Sequence, residues 1–305
     1  MLQNLKGMIV VPLIILNIVF WFIPIFVFAL VRLVLPFTAV RKWTSSILIA
    51  CGENWISCNG ILHDVTQDTT WHFSGRDNLN RRDWYLVTAN HQSWVDIVVL
   101  QRALNRRIPF LKFFIKQQLI WIPFLGLAWW AMDMPFMKRY SRAYLQKHPE
   151  KRGQDLEATR RSCERFREVP TSVINFVEGT RLTPEKHQKS GAEYANLLPP
   201  RAGGVAFAMS VMGEQFTSLL DVTVVYPGGS KSFWDMCTGK MKDVIVDVRE
   251  VPIEPWMSEG DYLNDDAFKS KFQEWLSGFW REKDELISRL KQDFEARQIE
   301  KRDGA

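Results

Sequence analysis

The pattern of apolar and polar positions divides the chain into an N-terminal apolar part and a longer body. Residues 8–31 carry no formal charge over 24 positions, and Asn17 is the single strongly polar side chain among them. About 20 apolar residues suffice to cross the hydrocarbon core of a bilayer. The run therefore predicts a membrane-anchoring helix, which Pro12 and Pro24 can kink.

A second, weaker apolar stretch covers residues 46–61 and is interrupted by Glu53 and Asn54. Two arrangements fit the pair of stretches. One is a spanning helix followed by an interfacial helix, and the other is a two-helix hairpin that enters one leaflet. In either case we assign residues 1–62 to a membrane-anchoring helical segment and residues 63–305 to a second, larger domain.

Basic residues close to the first run indicate its orientation. Lys6 precedes the run, and Arg32, Arg41 and Lys42 follow it closely. By the positive-inside rule the rest of the chain faces the cytoplasm. The formal net charge of +5 suits a nucleic acid, an anionic membrane surface or a phosphorylated substrate. The 4 scattered cysteines exclude a disulfide scaffold and favour a reduced compartment.

In the larger domain, short β-branched runs alternate with longer helical patterns. Buried strands are predicted at residues 84–89, 171–177 and 220–226, and an alternating edge strand at residues 244–251. Helices are predicted at residues 94–104, 154–167 and 202–212, and a long amphipathic helix at the C-terminal end. Strands separated by helices indicate βαβ units and an α/β fold.

A basic belt occupies residues 138–167, where ten Lys or Arg stand against four Asp or Glu. A charge run is usually a solvated surface, but this one fits anionic headgroups or phosphates. Nucleic acid is the weaker interpretation, since no recognisable binding module accompanies the belt. We therefore expect no nucleic-acid partner.

The first polar cluster comes directly after the strand at residues 84–89. Its sequence runs from Asn90 and His91 to Asp96. Open α/β sheets bind ligands beyond the carboxyl ends of their strands, so the position suits a site. If His91 lies in the strand-to-helix turn and Asp96 in the first helical turn, the two side chains can meet. A carboxylate on one imidazole nitrogen fixes the tautomer and makes the other nitrogen a better base.

Two more polar clusters follow two further predicted strands. The cluster after residues 171–177 contains a glycine, which permits a tight turn, and a hydroxyl. It also contains a guanidinium, which can bind a phosphate through two hydrogen bonds. This cluster consists of Glu178, Gly179, Thr180 and Arg181. The third cluster begins at Tyr226 and also fits a plain turn.

Other chemistries lack their sequence patterns. The chain has no Walker loop, no G-x-G-x-x-G fingerprint and no G-x-S-x-G elbow. Its 5 His and 4 Cys do not cluster at metal-ligand spacing, so we expect no metal site. A base without an enzymic nucleophile would activate the hydroxyl of a substrate.

These blocks together resemble the lysophosphatidate (1-acylglycerol-3-phosphate) acyltransferase family, and most closely its bacterial, membrane-bound YihG-type branch. Asn90-His91 through Asp96 matches the family's N-H-x4-D block, and residues 176–181 match its F-P-E-G-T-R block with Val177 in place of proline. Residues 134–139 resemble an intermediate block that ends in a basic residue, here Arg139. The order and spacing of the blocks cover roughly residues 71–229.

The resemblance implies a glycerolipid-acyltransferase-like mixed sheet flanked by helices, with residues 63–305 as the catalytic domain. It implies acyl transfer from acyl-CoA or acyl carrier protein to the free hydroxyl of a lysophospholipid, with no cofactor beyond that co-substrate. His91 would be the general base, oriented by Asp96. The phosphate of the acceptor would be bound by five residues: Glu178, Gly179, Thr180, Arg181 and Arg139. The expected setting is phospholipid biosynthesis at the bacterial inner membrane.

Two other functions remain open at this point. A non-catalytic, membrane-anchored protein could bind RNA or anionic lipid through the basic belt, and it would tolerate changes at His91 and Asp96. A lipid hydrolase on the same scaffold would need an enzymic nucleophile, for which Ser93 is the candidate beside the base.

Overall fold

The computed structural model describes residues 2–35, 37–122, 125–137, 166, 169–262 and 264–303. Arg139 and the predicted helix at residues 154–167, except Phe166, lie outside these residues, as does nearly all of the basic belt. The N-terminal part forms two long helices, α1 (Leu2–Val34) and α2 (Thr38–Thr66). They pack against each other as an antiparallel hairpin, in which the Asn17 amide donates to the Asn59 side-chain oxygen at 2.8 Å.

Helix α1 is long and apolar enough to cross a membrane by length and composition, and it is the sole helix of this kind in the described residues. Its most apolar window is only 11% buried, so most of this surface is not used for packing within the chain. A core helix of a soluble protein is usually buried on most sides. The exposed apolar surface therefore suits a lipid environment.

Ion pairs attach the helical hairpin to the body of the protein. The Arg32 guanidinium binds both carboxylate oxygens of Asp133, at 2.7 and 2.9 Å. On α2, Asp64 accepts from Arg102 at 2.7 Å. The predicted domain boundary after residue 62 stays a prediction; in the structure α2 continues to Thr66 without a break.

The body is built on a mixed six-stranded sheet. Its strands are β1 (Thr70–Ser74), β2 (Tyr85–Ala89), β3 (Leu111–Phe113), β6 (Ser172–Phe176), β7 (Ser218–Val225) and β8 (Asp243–Val251). They lie in the order β1-β8-β7-β2-β6-β3, and neighbouring strands are parallel except β7 and β8, which are antiparallel. Two short strands, β4 (Ile115–Lys116) and β5 (Phe136–Met137), form a separate parallel pair.

Helices cover both faces of the sheet, which confirms the predicted α/β class. One face packs against the helices at residues 202–212 and 266–303, and the other packs against the helices at residues 95–104 and 233–237 and part of α1. Successive side chains of β2 point to opposite faces of the sheet. Leu86 packs in the first layer, and Tyr85 and Val87 pack in the second. The helices after the hairpin are α3 (Val95–Leu104), α4 (Leu125–Ala131), α5 (Pro184–Lys189), α6 (Ala202–Met212), α7 (Phe233–Cys237), α8 (Trp256–Glu259) and α9 (Asp266–Asp303).

The prediction of an edge strand at residues 244–251 is wrong. Strand β8 lies between β1 and β7, and β1 occupies the edge. The polar positions of β8 that suggested an edge have partners inside the fold. Asp247 accepts from the Ser74 hydroxyl at 2.6 Å, and Arg249 contacts Glu282 of α9 at 2.8 Å.

Candidate active site

The carboxyl ends of β2, β6 and β7 lie side by side, because these three strands are parallel neighbours. His91 follows β2, Glu178 follows β6 and Tyr226 follows β7. Backbone hydrogen bonds join two of these strand-end segments. The Leu182 N–H, just beyond the Glu178–Arg181 loop, donates to the His91 carbonyl at 2.7 Å. The predicted polar clusters therefore form one site at one edge of the sheet.

His91 and Asp96 meet as the spacing predicts. His91 lies in the turn after β2, and Asp96 lies in the first turn of α3. Their side chains join through the His91 Nδ1 and Asp96 Oδ2 atoms at 2.8 Å. This contact directs Nε2 away from the carboxylate, and Nε2 has no hydrogen-bond partner within the described part of the chain. The pair can accept a proton at Nε2 and hold the resulting positive charge.

Asp96 is fully buried and is fixed from three further directions. Its Oδ2 atom accepts the backbone N–H groups of Gln92 and Ser93 at 2.6 and 2.8 Å. Its Oδ1 atom accepts the Tyr226 hydroxyl at 2.6 Å. Burial, together with the Asp96 carboxylate, raises the pKa of Tyr226 well above its ordinary value, so its hydroxyl remains a donor. The carboxylate cannot rotate without losing several charge-assisted hydrogen bonds.

Two neighbours hold His91 in position. Asn90 is fully buried and bridges to β7, where its side chain donates to the Val224 carbonyl at 2.8 Å and accepts the Val224 N–H at 2.9 Å. The Phe176 ring at the end of β6 stacks on the imidazole, with ring centroids 4.1 Å apart. The backbone before His91 and the plane of its ring are both constrained.

Glu178 lies beneath the loop that follows β6, with 1% of its surface exposed. One carboxylate oxygen accepts the His91 N–H at 2.8 Å, and the other accepts the Leu198 N–H at 3.0 Å. Burial raises the pKa of the Glu178 carboxyl from 4.5 to about 7, although both N–H groups favour the charged form. In this position Glu178 braces the loop and the His91 backbone.

The loop after Glu178 turns at Gly179, whose φ of 66° is the left-handed conformation that glycine adopts without strain. Thr180 and Arg181 follow on the exposed side. The Lys186 ammonium of α5 donates to the Thr180 hydroxyl at 2.6 Å and to the Arg181 carbonyl at 3.0 Å. The Arg181 guanidinium lies 5.0 Å from the centre of the Trp94 ring. This solvent-facing side presents cations and a hydroxyl that suit a phosphate.

Val177 adds a hydrogen bond that a proline at this position cannot make. It is fully buried, and its N–H donates to the Ala89 carbonyl at 3.3 Å, which extends the β2–β6 pairing by one bond. Proline has no N–H to donate. Valine in place of the proline of the F-P-E-G-T-R pattern thus adds a hydrogen bond between the loop and the end of β2, the strand that precedes His91.

The structure brings His91, Asp96, Glu178, Gly179, Thr180 and Arg181 together, whereas Arg139 lies outside the described residues. The roles of these seven residues stay predictions. Sequence reasoning missed the contacts of three further residues in the site: Asn90, Lys186 and Tyr226. The signal for Asn90 was its place in the N-H-x4-D block, and the signal for Tyr226 was its position after a predicted strand. Lys186 stands on a short exposed helix and gave no signal.

Comparison with known proteins agrees with this architecture. A family profile described as Acyltransferase matches residues 70–227, which is more than half of the chain. The 1-acyl-sn-glycerol-3-phosphate acyltransferase gamma of Mus musculus is 24% identical over 265 residues, covering 83% of this chain and 63% of that protein. The 2-acyl-1-lysophosphatidylinositol acyltransferase of Saccharomyces cerevisiae is 30% identical over 144 residues, 39% of this chain and 33% of its own.

A solved structure extends the likeness to nearly the whole fold. The crystal structure of the 1-acyl-sn-glycerophosphate acyltransferase PlsC from Thermotoga maritima superposes with a TM-score of 0.52 and 15% identity. The superposition covers 96% of this chain and 98% of that one. The chain spans 63% of the length of the mouse relative. Strands β2, β6 and β7, with the histidine, aspartate and Glu178–Arg181 loop at their ends, fall within the matched region, and the chain belongs to the acyltransferase family.

Proposed function

We propose that this protein transfers a fatty acyl group from an acyl thioester to the free hydroxyl of a lysophospholipid. The expected acceptor is 1-acyl-glycerol-3-phosphate, and the product is then phosphatidate. The donor is acyl-CoA or acyl carrier protein. Family membership and the similarity to 1-acyl-sn-glycerol-3-phosphate acyltransferases support the reaction class, and the geometry of the site supports the roles proposed for individual residues.

The His91–Asp96 pair carries the proposal. In the reaction His91 Nε2 accepts the proton of the acceptor hydroxyl, while the hydroxyl oxygen attacks the thioester carbonyl carbon. The carbon–sulfur bond then breaks, and the thiolate takes the proton back from the imidazolium. Asp96 stabilises the imidazolium through the 2.8 Å contact at Nδ1 and never needs to take the proton itself.

The loop at Gly179, Thr180 and Arg181 is the proposed phosphate site of the acceptor. Arg181 can hold two phosphate oxygens in parallel, and the Thr180 hydroxyl can donate a further bond. Glu178 contributes by shaping this loop from below, since its carboxylate is occupied by two backbone N–H groups. Arg139 is the second proposed cation for the same phosphate.

The contacts of Ser93 argue against a hydrolase with an enzymic nucleophile. Its hydroxyl donates to the Lys231 carbonyl and accepts the Val95 N–H at 3.1 Å. The hydroxyl proton is therefore committed to a backbone carbonyl, and the side chain is 6% exposed. A catalytic serine instead donates its proton to the histidine that activates it.

We propose that the protein is attached to the bacterial inner membrane through the α1–α2 hairpin, with residues 63–305 facing the cytoplasm. The exposed apolar surface of α1 and the basic residues near its ends support this placement. Such an anchor keeps the site at the surface where its amphipathic acceptor resides. Protease protection in sealed inverted vesicles tests the orientation.

The reaction is tested with the full chain in mixed micelles, using radiolabelled acyl-CoA and, separately, acyl carrier protein. The acceptor panel contains lysophosphatidate and lysophospholipids with inositol, ethanolamine, glycerol and choline headgroups. We expect labelled phosphatidate from lysophosphatidate, its loss in His91→Ala, and near-normal activity in Ser93→Ala. Release of free fatty acid that depends on Ser93 would support the hydrolase, and no labelled product with any acceptor would reject acyl transfer.

A further inference from the structure

Helix α9 lies outside the part of the chain that the family profile matches, yet several of its side chains bind β7 and the segment at residues 194–198, which adjoin the candidate site. Lys283 is fully buried beneath the sheet and binds the Asp221 carboxylate at 2.6 Å and the Val222 carbonyl at 2.9 Å. A lysine is almost never fully buried unless it is paired. This buried ion pair fixes the position of α9 against β7, the strand that directly precedes Tyr226.

At the next position along the helix, α9 holds the segment at residues 194–198. The Asp284 carboxylate accepts two consecutive backbone N–H groups, from Ala195 at 2.8 Å and from Asn196 at 2.7 Å. Ser288 and Lys291 bind the Asn196 side chain at 2.8 and 2.5 Å. One carboxylate of α9 therefore orders a stretch of chain that has no helix or strand of its own.

The same segment then contacts the site. The fully buried Trp280 ring donates its N–H to the Leu198 carbonyl at 2.9 Å. The N–H of Leu198 donates in turn to Glu178 at 3.0 Å, and the other oxygen of Glu178 accepts the His91 N–H at 2.8 Å. Each contact connects a group already held by the previous one, so the path from α9 to the His91 backbone is continuous.

We propose that α9 is a positioning element of the active site, in which Trp280 and Asp284 hold residues 195–198 so that Leu198 fixes Glu178 and Glu178 fixes His91. Neither residue touches the substrate in this scheme. The expected effect on catalysis rests on the proposed function, whereas the expected effect on the structure around His91 does not. Weakening either contact lets Glu178 shift and loosens the turn that carries His91, while Thr180 and Arg181 keep their own contacts with Lys186 and Trp94.

The alternative is that α9 only covers the apolar face of α6 and β7. Trp280 and other apolar residues of α9 belong to the hydrophobic cluster on that face, and a purely structural role would account for this packing. The two views differ in what the polar contacts do. If α9 has only a structural role, removing a contact lowers the stability of the protein. If α9 positions the site, removing the contact also changes the turn at His91.

The test compares three full-length variants with the wild-type protein. Asp284→Asn keeps the shape of the side chain but removes the charge that holds two N–H groups. Trp280→Phe keeps a buried aromatic ring but removes the bond to Leu198. Glu285→Gln is the matched control, since Glu285 is the exposed neighbour on the same helix and loses the same charge.

Hydrogen–deuterium exchange in detergent micelles gives a readout independent of activity. In Asp284→Asn and Trp280→Phe we expect exchange to rise about tenfold in peptides that cover residues 194–198 and also in peptides that cover residues 90–93. Glu285→Gln should leave both regions unchanged. Steady-state kinetics should show kcat three- to tenfold lower in the first two variants, the range expected for one lost hydrogen bond. The KM for the lysophospholipid should change less than twofold.

The outcomes separate this proposal from the proposed function. Faster exchange confined to residues 194–198, with kcat unchanged, would show that α9 only packs against the domain and would overturn the proposal. Equal effects in Glu285→Gln would overturn it as well. If the wild-type protein transfers no acyl group while exchange at residues 90–93 still responds to Asp284, the proposed function fails and the positioning role stands.

Discussion

The two sides of the active site are held in different ways. On one side, the Asp96 carboxylate is fully buried and has four partners within the fold, and the imidazole of His91 is stacked on Phe176. On the other side, Arg181 faces solvent and contacts a half-exposed aromatic ring at 5.0 Å. The side chains of His91 and Asp96 are therefore held in one position, whereas the Arg181 side chain is free to change its conformation.

The difference fits the chemistry proposed for each side. A base must lie within hydrogen-bond reach of the group whose proton it removes, at about 2.6–3.2 Å between heavy atoms, and a fixed network keeps it there. A headgroup site at a membrane surface must admit a phosphate from solvent, and an exposed guanidinium does so at little desolvation cost. Changes on the buried side should therefore lower kcat, and changes on the exposed side should raise KM.

Asp96→Asn should give the largest effect. The amide cannot stabilise a positive imidazole, and it favours the wrong tautomer of His91. We expect kcat to fall by about 10² to 10⁴ while the KM for the lysophospholipid stays within threefold of wild type. Circular dichroism of the purified variant controls for folding. A folded variant that retains more than half of the wild-type kcat would contradict the role of the pair.

Glu178→Gln should change how stability depends on pH. Because the pKa of Glu178 rises from 4.5 to about 7 on folding, the folded state binds more protons than the unfolded state between these values. The free energy of unfolding of the wild-type protein should therefore fall as pH rises through this window, by at most about 3 kcal/mol. Glutamine does not titrate, so the variant should lack this part of the slope.

Chemical unfolding in detergent at pH 5 and pH 8 measures the two slopes. Other titrating groups are common to both proteins, so the difference between the slopes reports Glu178 alone. Identical slopes would show that Glu178 does not change its proton affinity on folding. The buried brace between His91 and Leu198 would then be a carboxylate throughout the neutral range.

On the exposed side, Arg181→Lys should raise the KM for the lysophospholipid about tenfold or more, because an ammonium cannot make two parallel bonds to a phosphate. The KM for the acyl donor and kcat should change much less. Steady-state kinetics with each substrate varied in turn measures both constants. A raised donor KM beside an unchanged acceptor KM would move Arg181 to the phosphates of the acyl carrier.

The smallest effect is expected at Lys186. Its ammonium donates hydrogen bonds to the Thr180 hydroxyl and the Arg181 carbonyl, but it is exposed, and contacts of an exposed charge contribute little. Lys186→Met should raise the acceptor KM about two- to threefold. Lys189→Met, on the same short helix, is the matched control and should behave as wild type. An effect larger than that of Arg181→Lys would make Lys186 a direct phosphate ligand.

The sequence was sufficient to place the residues whose signal is local. His91 and Asp96 are five positions apart at a strand-to-helix turn, and the helix predicted at residues 202–212 has the bounds of α6, Ala202–Met212. To place these two residues together, only one strand and the turn that follows it have to be predicted correctly. The α/β class followed from the same alternation of strands and helices.

The features that sequence reasoning missed depend on contacts between distant parts of the chain. The Tyr226 hydroxyl reaches Asp96 across 130 positions, and Trp280 reaches Leu198 across 82. Strand β1 has five residues, a partly exposed pattern and a partner about 170 positions away, so no local periodicity marks it. Without β1, the alternating pattern of β8 is that of an edge strand, although β8 is interior.

In the proposed mechanism, His91 removes the proton of the acceptor hydroxyl in the acyl-transfer step. Single-turnover kinetics measures this step directly, with enzyme in excess over labelled acyl donor and the lysophospholipid at saturation. For His91→Ala we expect the rate of acyl transfer to fall by about 10² to 10⁴, with the lysophospholipid concentration for half-saturation unchanged. A single-turnover rate above half of the wild-type value would contradict it.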